Sequence, residues 1–280
     1  DRPIKKIPSL QGMTIVNLFF ENSTRTRISF ELAQKRLSAD TVNFSASSSS
    51  LKKGESFKDT VQNIEAMKID AVVIRHPTPG APRHLTEFID AVIINAGDGT
   101  HEHPTQAILD MMTLYEKFGK IKDLKIGIIG DICHSRVALS NIFGLKCMGA
   151  EITLCGPAHL IPPHITDLGV KINYNIDEVL EWADALNVLR VQNERMGVGL
   201  IPSIREYRGL FGITEERMEK HAKEIVIMHP GPMNRGVEID SAVADSDQAI
   251  ILDQVLNGVA SRMAILYLLL GGKYDEKDIK

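Results

Sequence analysis

The sequence of 280 residues is close to the upper limit for one hydrophobic core, so two domains of ordinary size are expected. Apolar residues make up 44% of it and charged residues 24%, which is typical of a globular protein in water. The net charge of −4 excludes general nucleic-acid binding, because no basic excess exists to displace counterions from a phosphate backbone. Any anion site must therefore be a local concentration of arginine and lysine.

Strand-like runs alternate with amphipathic stretches from the start of the chain. The first strand is expected at residues 14–20, and the helix after it at residues 23–37, where apolar residues recur at helical spacing. A Ser/Lys/Gly loop at residues 45–55 has little to bury. The other elements expected in this half are strands at 41–44, 71–75 and 91–95 and helices at 56–67 and 104–118.

A charged stretch at residues 117–125 marks the expected domain boundary. Beyond it the alternation continues, with strands expected at 125–130, 151–155, 171–174, 185–191 and 224–228 and a last helix at about 253–270. This order predicts an α/β protein with two domains, each with a mostly parallel sheet flanked by helices. In such sheets ligands bind beyond the carboxyl ends of the strands, where the polar motifs of this sequence lie.

The cysteines, Cys133, Cys147 and Cys155, are odd in number and form no CxxC pair. This argues against a disulfide framework and a zinc site and favours a reducing, cytoplasmic location. No signal peptide is recognisable, and the longest apolar run, residues 263–270, is too short to cross a bilayer, so no membrane association is expected. The sequence opens without a methionine, and we expect a preceding segment, which can be a helix, to be missing.

The segment Phe20-Glu-Asn-Ser-Thr-Arg-Thr-Arg27 joins the first strand to the first helix. Helix N-termini present free N–H groups to anions, and the guanidinium of Arg25 adds a planar fork of donors that suits phosphate oxygens. The alternative is that Ser23 only caps the helix and the arginines are solvated. Capping requires one such residue, so we favour a phosphate site.

Two further segments leave their alternatives open. The loop at residues 47–55 combines hydroxyls, lysines and a glycine, which suits either a mobile anion clamp or a flexible linker. Arg75, in Arg75-His-Pro, ends a buried strand, where it can meet a ligand or pair with a carboxylate at the sheet rim.

His103-Pro-Thr-Gln106 follows Gly97-Asp-Gly99 and starts a helix. His103 can donate to a carbonyl oxygen and Gln106 can bind an amide, although a lone histidine is more often structural. The alternation of His101, Glu102 and His103 is weak support for a metal, and we expect none.

Downstream motifs also end strands. Residues 127–131 resemble part of a dinucleotide fingerprint but lack G-x-G-x-x-G, so nucleotide binding is weakly supported. Arg190 and Gln192 lie on one side of their strand by alternation, which suits a carboxylate, while a basic strand end is the alternative. In His229-Pro-Gly-Pro, two prolines fix the direction of the chain.

Together these motifs resemble one family, the aspartate and ornithine carbamoyltransferases, whose signatures are Phe20-Glu-Asn-Ser-Thr-Arg-Thr-Arg27 and His103-Pro-Thr-Gln106. The resemblance runs in family order through the whole chain, and the bacterial aspartate branch is the most similar. It implies a carbamoyl-phosphate domain at residues 1–119 without the usual N-terminal helix, an aspartate domain at 120–252, and a C-terminal helix at 253–280 that packs back on the first domain. It also implies transfer of the carbamoyl group of carbamoyl phosphate to the amine of L-aspartate, in pyrimidine biosynthesis.

The same resemblance implies roles for individual residues. Those implied to bind carbamoyl phosphate are Ser23, Thr24, Arg25, Thr26, Ser49, Lys53, Arg75, His103, Gln106 and Pro230, of which Arg75, His103, Thr26 and Lys53 are catalytic. Those implied to hold aspartate are Lys53, Arg136, Arg190, Gln192, Gly231 and Pro232, with Glu21 and Arg195 orienting the site. Ser49 and Lys53 are implied to enter the site of a neighbouring subunit, so a homotrimer with shared active sites follows, without metal or cofactor.

Charge counting supports this assignment independently. The two substrates bring about four negative charges near neutral pH, and anions leaving water need matching cations. The candidate cations are Arg25, Arg75, Arg136, Arg190 and the neighbour's Lys53.

Three alternatives remain. Ornithine carbamoyltransferases have an Asp-containing strand end and a His-Cys-Leu-Pro segment, whereas this chain has Arg190-Val-Gln192 and His229-Pro-Gly-Pro232, which suit a second carboxylate. Gly231 departs from the leucine common in aspartate enzymes, and we interpret this difference as subfamily variation. A non-catalytic scaffold that assembles with dihydroorotase or regulatory chains is disfavoured by the retained polar residues, and a nucleotide-binding dehydrogenase by the incomplete fingerprint.

Overall fold

The computed structural model describes residues 6–45, 56–191, 203–221 and 224–271. The chain divides into two compact units: residues 1–105 with 258–280 form unit 1, and residues 106–257 form unit 2. The domain boundaries expected at 119/120 and 252/253 remain sequence predictions. No helix among the described residues is long and apolar enough to cross a membrane.

Unit 1 is built on a four-stranded parallel sheet of order β2-β1-β3-β4. Its strands are β1 (Thr14–Phe19), β2 (Asp40–Ser45), β3 (Ala71–His76) and β4 (Val92–Asp98). Its helices are α1 (Thr24–Arg36), α2 (Phe57–Glu65) and α3 (Ala81–Leu85), and α4 (Pro104–Phe118) begins in it. Because β1 is flanked by β2 on one side and β3 on the other, the strand order reverses between β1 and β3. Such a switch point leaves a crevice at the carboxyl ends of the strands.

Unit 2 is built on a five-stranded parallel sheet of order β7-β6-β5-β8-β9, with its switch point between β5 and β8. Its strands are β5 (Lys125–Ile129), β6 (Glu151–Cys155), β7 (Lys171–Ile172), β8 (Ala185–Val188) and β9 (Val226–Met228). Its helices are α5 (Arg136–Cys147), α6 (Ile176–Trp182), α7 (Ile204–Phe211), α8 (Glu215–Lys220) and α9 (Ser241–Ala244), followed by α10 (Ile251–Leu270), which ends in unit 1.

The predicted fold class is confirmed in each unit. The central strands are buried almost continuously, as expected for parallel strands covered on both faces. The predicted return of the last helix is confirmed as well, since Val259, Leu266 and Leu270 of α10 pack in one apolar cluster with Ile15 of β1 and Phe30 of α1.

Candidate functional site

In unit 1 the segment predicted to bind phosphate joins the end of β1 to the N-terminus of α1. Ser23 is the N-cap residue of α1, with extended backbone angles (φ −157°, ψ 93°), yet its side chain makes no capping hydrogen bond. The first turn of α1 contains no acidic residue to repel an anion. Thr24 and Arg25 are exposed, whereas Thr26 is buried. The alternative in which Ser23 only caps the helix therefore lacks the hydrogen bond that it requires.

Arg75 lies across the switch point from this segment. The β1–β3 register pairs Phe19 with Arg75, and the Nε atom of Arg75 lies 2.7 Å from Oε1 of Glu21, with both side chains largely buried. Its Nη1 donates to the carbonyl of Ala96 at 3.3 Å. The carboxylate partner considered from the sequence is thus present, and it holds the guanidinium at the carboxyl edge of the sheet. Orientation of Arg136 and Arg190 by Glu21 stays a prediction.

His103 precedes α4, and its side chain is buried. The neighbouring loop is held by Asp98, which accepts from the backbone N–H of Gly80 at 2.7 Å and lies 3.1 Å from Nδ1 of His101. His101 therefore has a structural partner in this loop. Within the described ranges, no group of three or more His, Cys, Asp or Glu residues is arranged to hold a metal ion.

In unit 2 two arginines follow the strands that flank the switch point. Arg136 is the first residue of α5, after β5, and it is buried; Ser135 caps this helix by accepting from the N–H of Ala138 at 3.2 Å. Arg190 follows β8 and is half-buried. The loop before α5 is braced by fully buried Asp131, which lies 3.0 Å from Nδ1 of His134. Two guanidiniums at adjacent strand ends suit a dicarboxylate ligand.

The turn after β9 is held by its own histidine. The N–H of Gly231 donates to Nδ1 of His229 at 2.7 Å, so in the neutral ring the proton lies on Nε2, which faces Oε1 of buried Glu238 at 3.2 Å. Gly231 has φ +62°, a conformation that favours glycine, and the Gly231–Pro232 bond is cis. The backbone that carries the Pro230 carbonyl is therefore anchored by side-chain contacts.

The glycines of the incomplete dinucleotide fingerprint are explained by packing. A Cβ atom on Gly127 would lie 2.7 Å from the Leu186 side chain, and Gly130 has φ +124° and lies against Leu189. Packing at Gly127 and the positive φ of Gly130 account for these glycines without any nucleotide.

Four of the predicted site residues, Ser49, Lys53, Gln192 and Arg195, lie outside the described residues. Their roles remain predictions from the family resemblance.

Sequence reasoning missed a buried carboxylate, Asp110 of α4. Its side chain is fully buried, and four side-chain amides donate to it from α4, α5, β8 and α10. The donors are Gln106 at 2.9 Å and Gln254 at 2.7 Å to Oδ1, and Asn141 at 2.8 Å and Asn187 at 3.3 Å to Oδ2. Burial raises the pKa of Asp110 from 3.8 to about 6, although the four hydrogen bonds favour the ionised form. The sequence contained one indication of this buried carboxylate. Asp110 is the single aspartate of a largely apolar helix, four residues after Gln106.

The raised pKa of Asp110 predicts a pH-dependent stability. Between 3.8 and about 6 the native carboxyl keeps a proton that the unfolded chain has lost, so the free energy of unfolding should fall as pH rises through this window, by roughly 3 kcal/mol. The free energy of unfolding, measured by urea unfolding across this pH range, should not show this fall in Asp110→Asn. In the control Asp253→Asn, which changes an exposed aspartate, the fall should remain. Identical pH dependence in Asp110→Asn and the unsubstituted protein would contradict the assignment.

Both sheets carry cationic side chains at the carboxyl ends of the strands that flank their switch points. This arrangement defines the chain as a two-unit α/β protein of the class that binds small anionic molecules at sheet edges. Residues 1–116 match the carbamoyl-P binding domain of the aspartate/ornithine carbamoyltransferases, and residues 122–269 match their Asp/Orn binding domain. The chain belongs to the aspartate/ornithine carbamoyltransferase family.

Individual relatives agree with this assignment. The chain is 63% identical over 269 residues to the aspartate carbamoyltransferase catalytic subunit of Christiangramia forsetii, covering 96% of this chain and 87% of the relative. It is 60% identical over 278 residues to that of Gemmatimonas aurantiaca, covering 99% and 87%. Its fold matches aspartate transcarbamoylase from Trypanosoma cruzi in complex with N-(phosphonacetyl)-L-aspartic acid, with a TM-score of 0.83, 32% identity and coverage of 95% and 85%.

Proposed function

We propose that this chain transfers the carbamoyl group of carbamoyl phosphate to the amine of L-aspartate, giving N-carbamoyl-L-aspartate and phosphate, a step of pyrimidine biosynthesis. The observation that carries the proposal is the N-terminus of α1. There the Ser23 hydroxyl makes no capping hydrogen bond, and Arg25 lies in the first turn, in the segment that also contains Glu21 of the Glu21–Arg75 ion pair. The Trypanosoma cruzi relative has been crystallised with carbamoyl phosphate and aspartate together.

In the proposed carbamoyl-phosphate site, Ser23, Thr24, Arg25 and Thr26 bind the phosphate through hydroxyls, backbone N–H groups and the guanidinium. Arg75, His103 and Thr26 donate to the carbamoyl oxygen. The Gln106 side chain and the Pro230 carbonyl hold the carbamoyl NH2 group.

In the proposed aspartate site, Arg136 and Arg190 pair with the two carboxylates, and Gln192, Gly231 and Pro232 complete the contacts. The guanidinium pair of unit 2 supports a dicarboxylate over ornithine, whose side chain is cationic.

The proposed reaction requires no metal and no covalent enzyme intermediate. The neutral amine of aspartate attacks the carbamoyl carbon, and the charge that develops on the oxygen is stabilised by Arg75, His103 and Thr26. The C–O bond to phosphate then breaks, and the departing phosphate accepts the amine proton. Much of the remaining acceleration comes from positioning two anionic substrates.

An activity assay with both acceptors tests the function. Purified protein with carbamoyl phosphate should form N-carbamoyl-aspartate from aspartate and little citrulline from ornithine. Preference for ornithine would show the related carbamoyltransferase activity instead, and absence of both products would indicate a non-catalytic scaffold subunit.

We further propose a cytoplasmic homotrimer in which Ser49 and Lys53 of one subunit complete the site of its neighbour. Higher assembly with dihydroorotase or regulatory chains is compatible with such a trimer, whereas no nucleic-acid or membrane partner is proposed. The three free cysteines support the reducing location, and the family resemblance supports the shared site.

Shared sites predict complementation between two inactive variants. A complete site needs intact Arg25 from one subunit, which the Lys53→Ala chain supplies, and intact Lys53 from its neighbour, which the Arg25→Ala chain supplies. When equal amounts of the two variants exchange subunits, about one quarter of the sites should therefore be complete. Each variant alone is the control, and native mass spectrometry confirms the exchange. Exchanged but inactive hybrids would rule out sites shared between subunits.

A further inference from the structure

The buried carboxylate of Asp110 connects two groups proposed to hold the carbamoyl NH2. Asp110 Oδ1 accepts from Nε2 of Gln106 at 2.9 Å and from Nε2 of Gln254 at 2.7 Å. Gln254 Oε1 accepts from the backbone N–H of His229 at 2.9 Å, next to Pro230. The Gln106 amide and the backbone before the Pro230 carbonyl are thus joined by two buried side chains, all within unit 2.

The hydrogen-bonded chain Gln106–Asp110–Gln254–His229 is called the relay. Which group donates in each of its hydrogen bonds follows from the donor and acceptor types of the groups. The backbone N–H of His229 can only donate, so Gln254 must present its oxygen there and its NH2 group to Asp110. An ionised carboxylate can only accept, and its two oxygens offer about four acceptor positions for the four amides around it. Gln106 therefore presents its NH2 group to Asp110, and its other polar atom, Oε1, is an acceptor.

An acceptor is the atom type that a carbamoyl NH2 group needs. If the Gln106 amide were reversed, it would present an NH2 group to the ligand's NH2 group. The Pro230 carbonyl is also an acceptor, and its turn is held from the other end of the relay by Gln254 and from within by the Gly231–His229 hydrogen bond. The relay therefore orients Gln106 with its acceptor free of Asp110, and it holds the backbone that carries the Pro230 acceptor.

We propose that Asp110 and Gln254 are positioning residues for carbamoyl recognition. Asp110 holds the Gln106 amide with its oxygen toward the ligand, and Gln254 links that carboxylate to the backbone that carries the Pro230 carbonyl. This inference rests on the proposed function. Neither residue contacts the substrate; together they make the site selective for an NH2 group on the acyl carbon bound to the phosphate.

Acetyl phosphate is the probe for recognition of the carbamoyl NH2 group, since it has a methyl group where carbamoyl phosphate has NH2. In the unsubstituted protein, the Ki of acetyl phosphate should exceed the KM of carbamoyl phosphate, because two acceptors are left unpaired. Gln254→Leu should lower this ratio about tenfold, the effect of losing well-placed hydrogen bonds. In the same variant, the Ki of inorganic phosphate, which lacks the carbamoyl group, should change less than about twofold.

Asn257→Leu is the matched control. Asn257 is also a buried amide of α10 that donates to α4, at 3.1 Å to Oγ1 of Thr113 and 2.6 Å to Oε2 of Glu116, but it lies outside the relay. Its replacement should leave the ratio unchanged. If Gln254→Leu does not fold, Gln254→Asn decides, because its side chain is one methylene too short to reach both partners.

The possible outcomes separate the two proposals. A lowered ratio in the Gln254 variant, with an unchanged phosphate Ki and an unchanged ratio in Asn257→Leu, supports the relay. An unchanged ratio in a folded Gln254 variant, or an equal fall in Asn257→Leu, overturns it while the proposed function stands. If the unsubstituted protein forms no N-carbamoyl-aspartate, the proposed function itself fails.

Discussion

Arg75→Ala is expected to reduce kcat by a few hundredfold, which corresponds to a loss of about 3 kcal/mol of transition-state stabilisation. In the proposed mechanism Arg75 donates to the carbamoyl oxygen, where charge develops only as the amine attacks. The KM for carbamoyl phosphate should change much less than kcat, because the lost hydrogen bond strengthens in the transition state. Steady-state kinetics at saturating aspartate measure both constants.

Two controls separate catalysis from the Glu21–Arg75 ion pair. Glu21→Gln removes the 2.7 Å ion pair but retains the guanidinium, so its effect on kcat should be smaller. Arg83→Ala removes an exposed arginine of α3 in the same unit and should leave kcat unchanged. If Arg75→Ala kept kcat within about tenfold of the unsubstituted protein, Arg75 could not be a principal oxyanion donor.

Arg25→Ala should abolish measurable phosphate binding while the fold survives. Charge-assisted hydrogen bonds contribute about 1.5–3 kcal/mol each, so loss of a two-donor contact should raise the Kd for phosphate more than a hundredfold. The fold should persist because Arg25 is exposed in the first turn of α1, whose buried residues Phe30 and Ala33 are unchanged. Isothermal titration with inorganic phosphate and circular dichroism measure the two properties.

Arg27→Ala is the matched control for Arg25→Ala. Arg27 is also exposed on α1, two residues further along, and it is not among the residues proposed to bind phosphate. Its loss should raise the phosphate Kd only slightly, through the change in net charge. Equal weakening by both substitutions would show a diffuse basic surface in place of a defined phosphate site, and an unfolded Arg25→Ala variant would show a structural role.

The apolar runs located the strands well, but they did not show where some of the strands end. The strand expected at 185–191 stops at Val188, because its register partner Ile129 is the last residue of β5. The strand expected at 171–174 contains only Lys171 and Ile172, which pair with Thr153 and Leu154 of β6. A strand ends where its neighbour stops offering hydrogen bonds, and the neighbour is unknown until the sheet is assembled.

One strand was predicted too short, because its last residues include polar ones. The strand expected to end at Asn95 extends as β4 to Asp98, through Gly97. The pairing of His76 with Asp98 keeps this segment in the sheet, across a register irregularity after Ile74. The sequence indicated no strand beyond Asn95, whereas pairing with the parallel neighbour determined the conformation of this segment.

The sequence by itself determined the α/β class and the segments with candidate ligand-binding side chains, because apolar runs, helical spacing and motif residues are local properties. It could not show that Arg75 meets Glu21, since their pairing depends on the register of β1 against β3. Nor could it show the Asp110 cluster, in which the donor Gln254 lies 144 residues from Asp110 in the chain. A buried carboxylate is acceptable only where enough donors converge on it, and that convergence exists only in the folded chain.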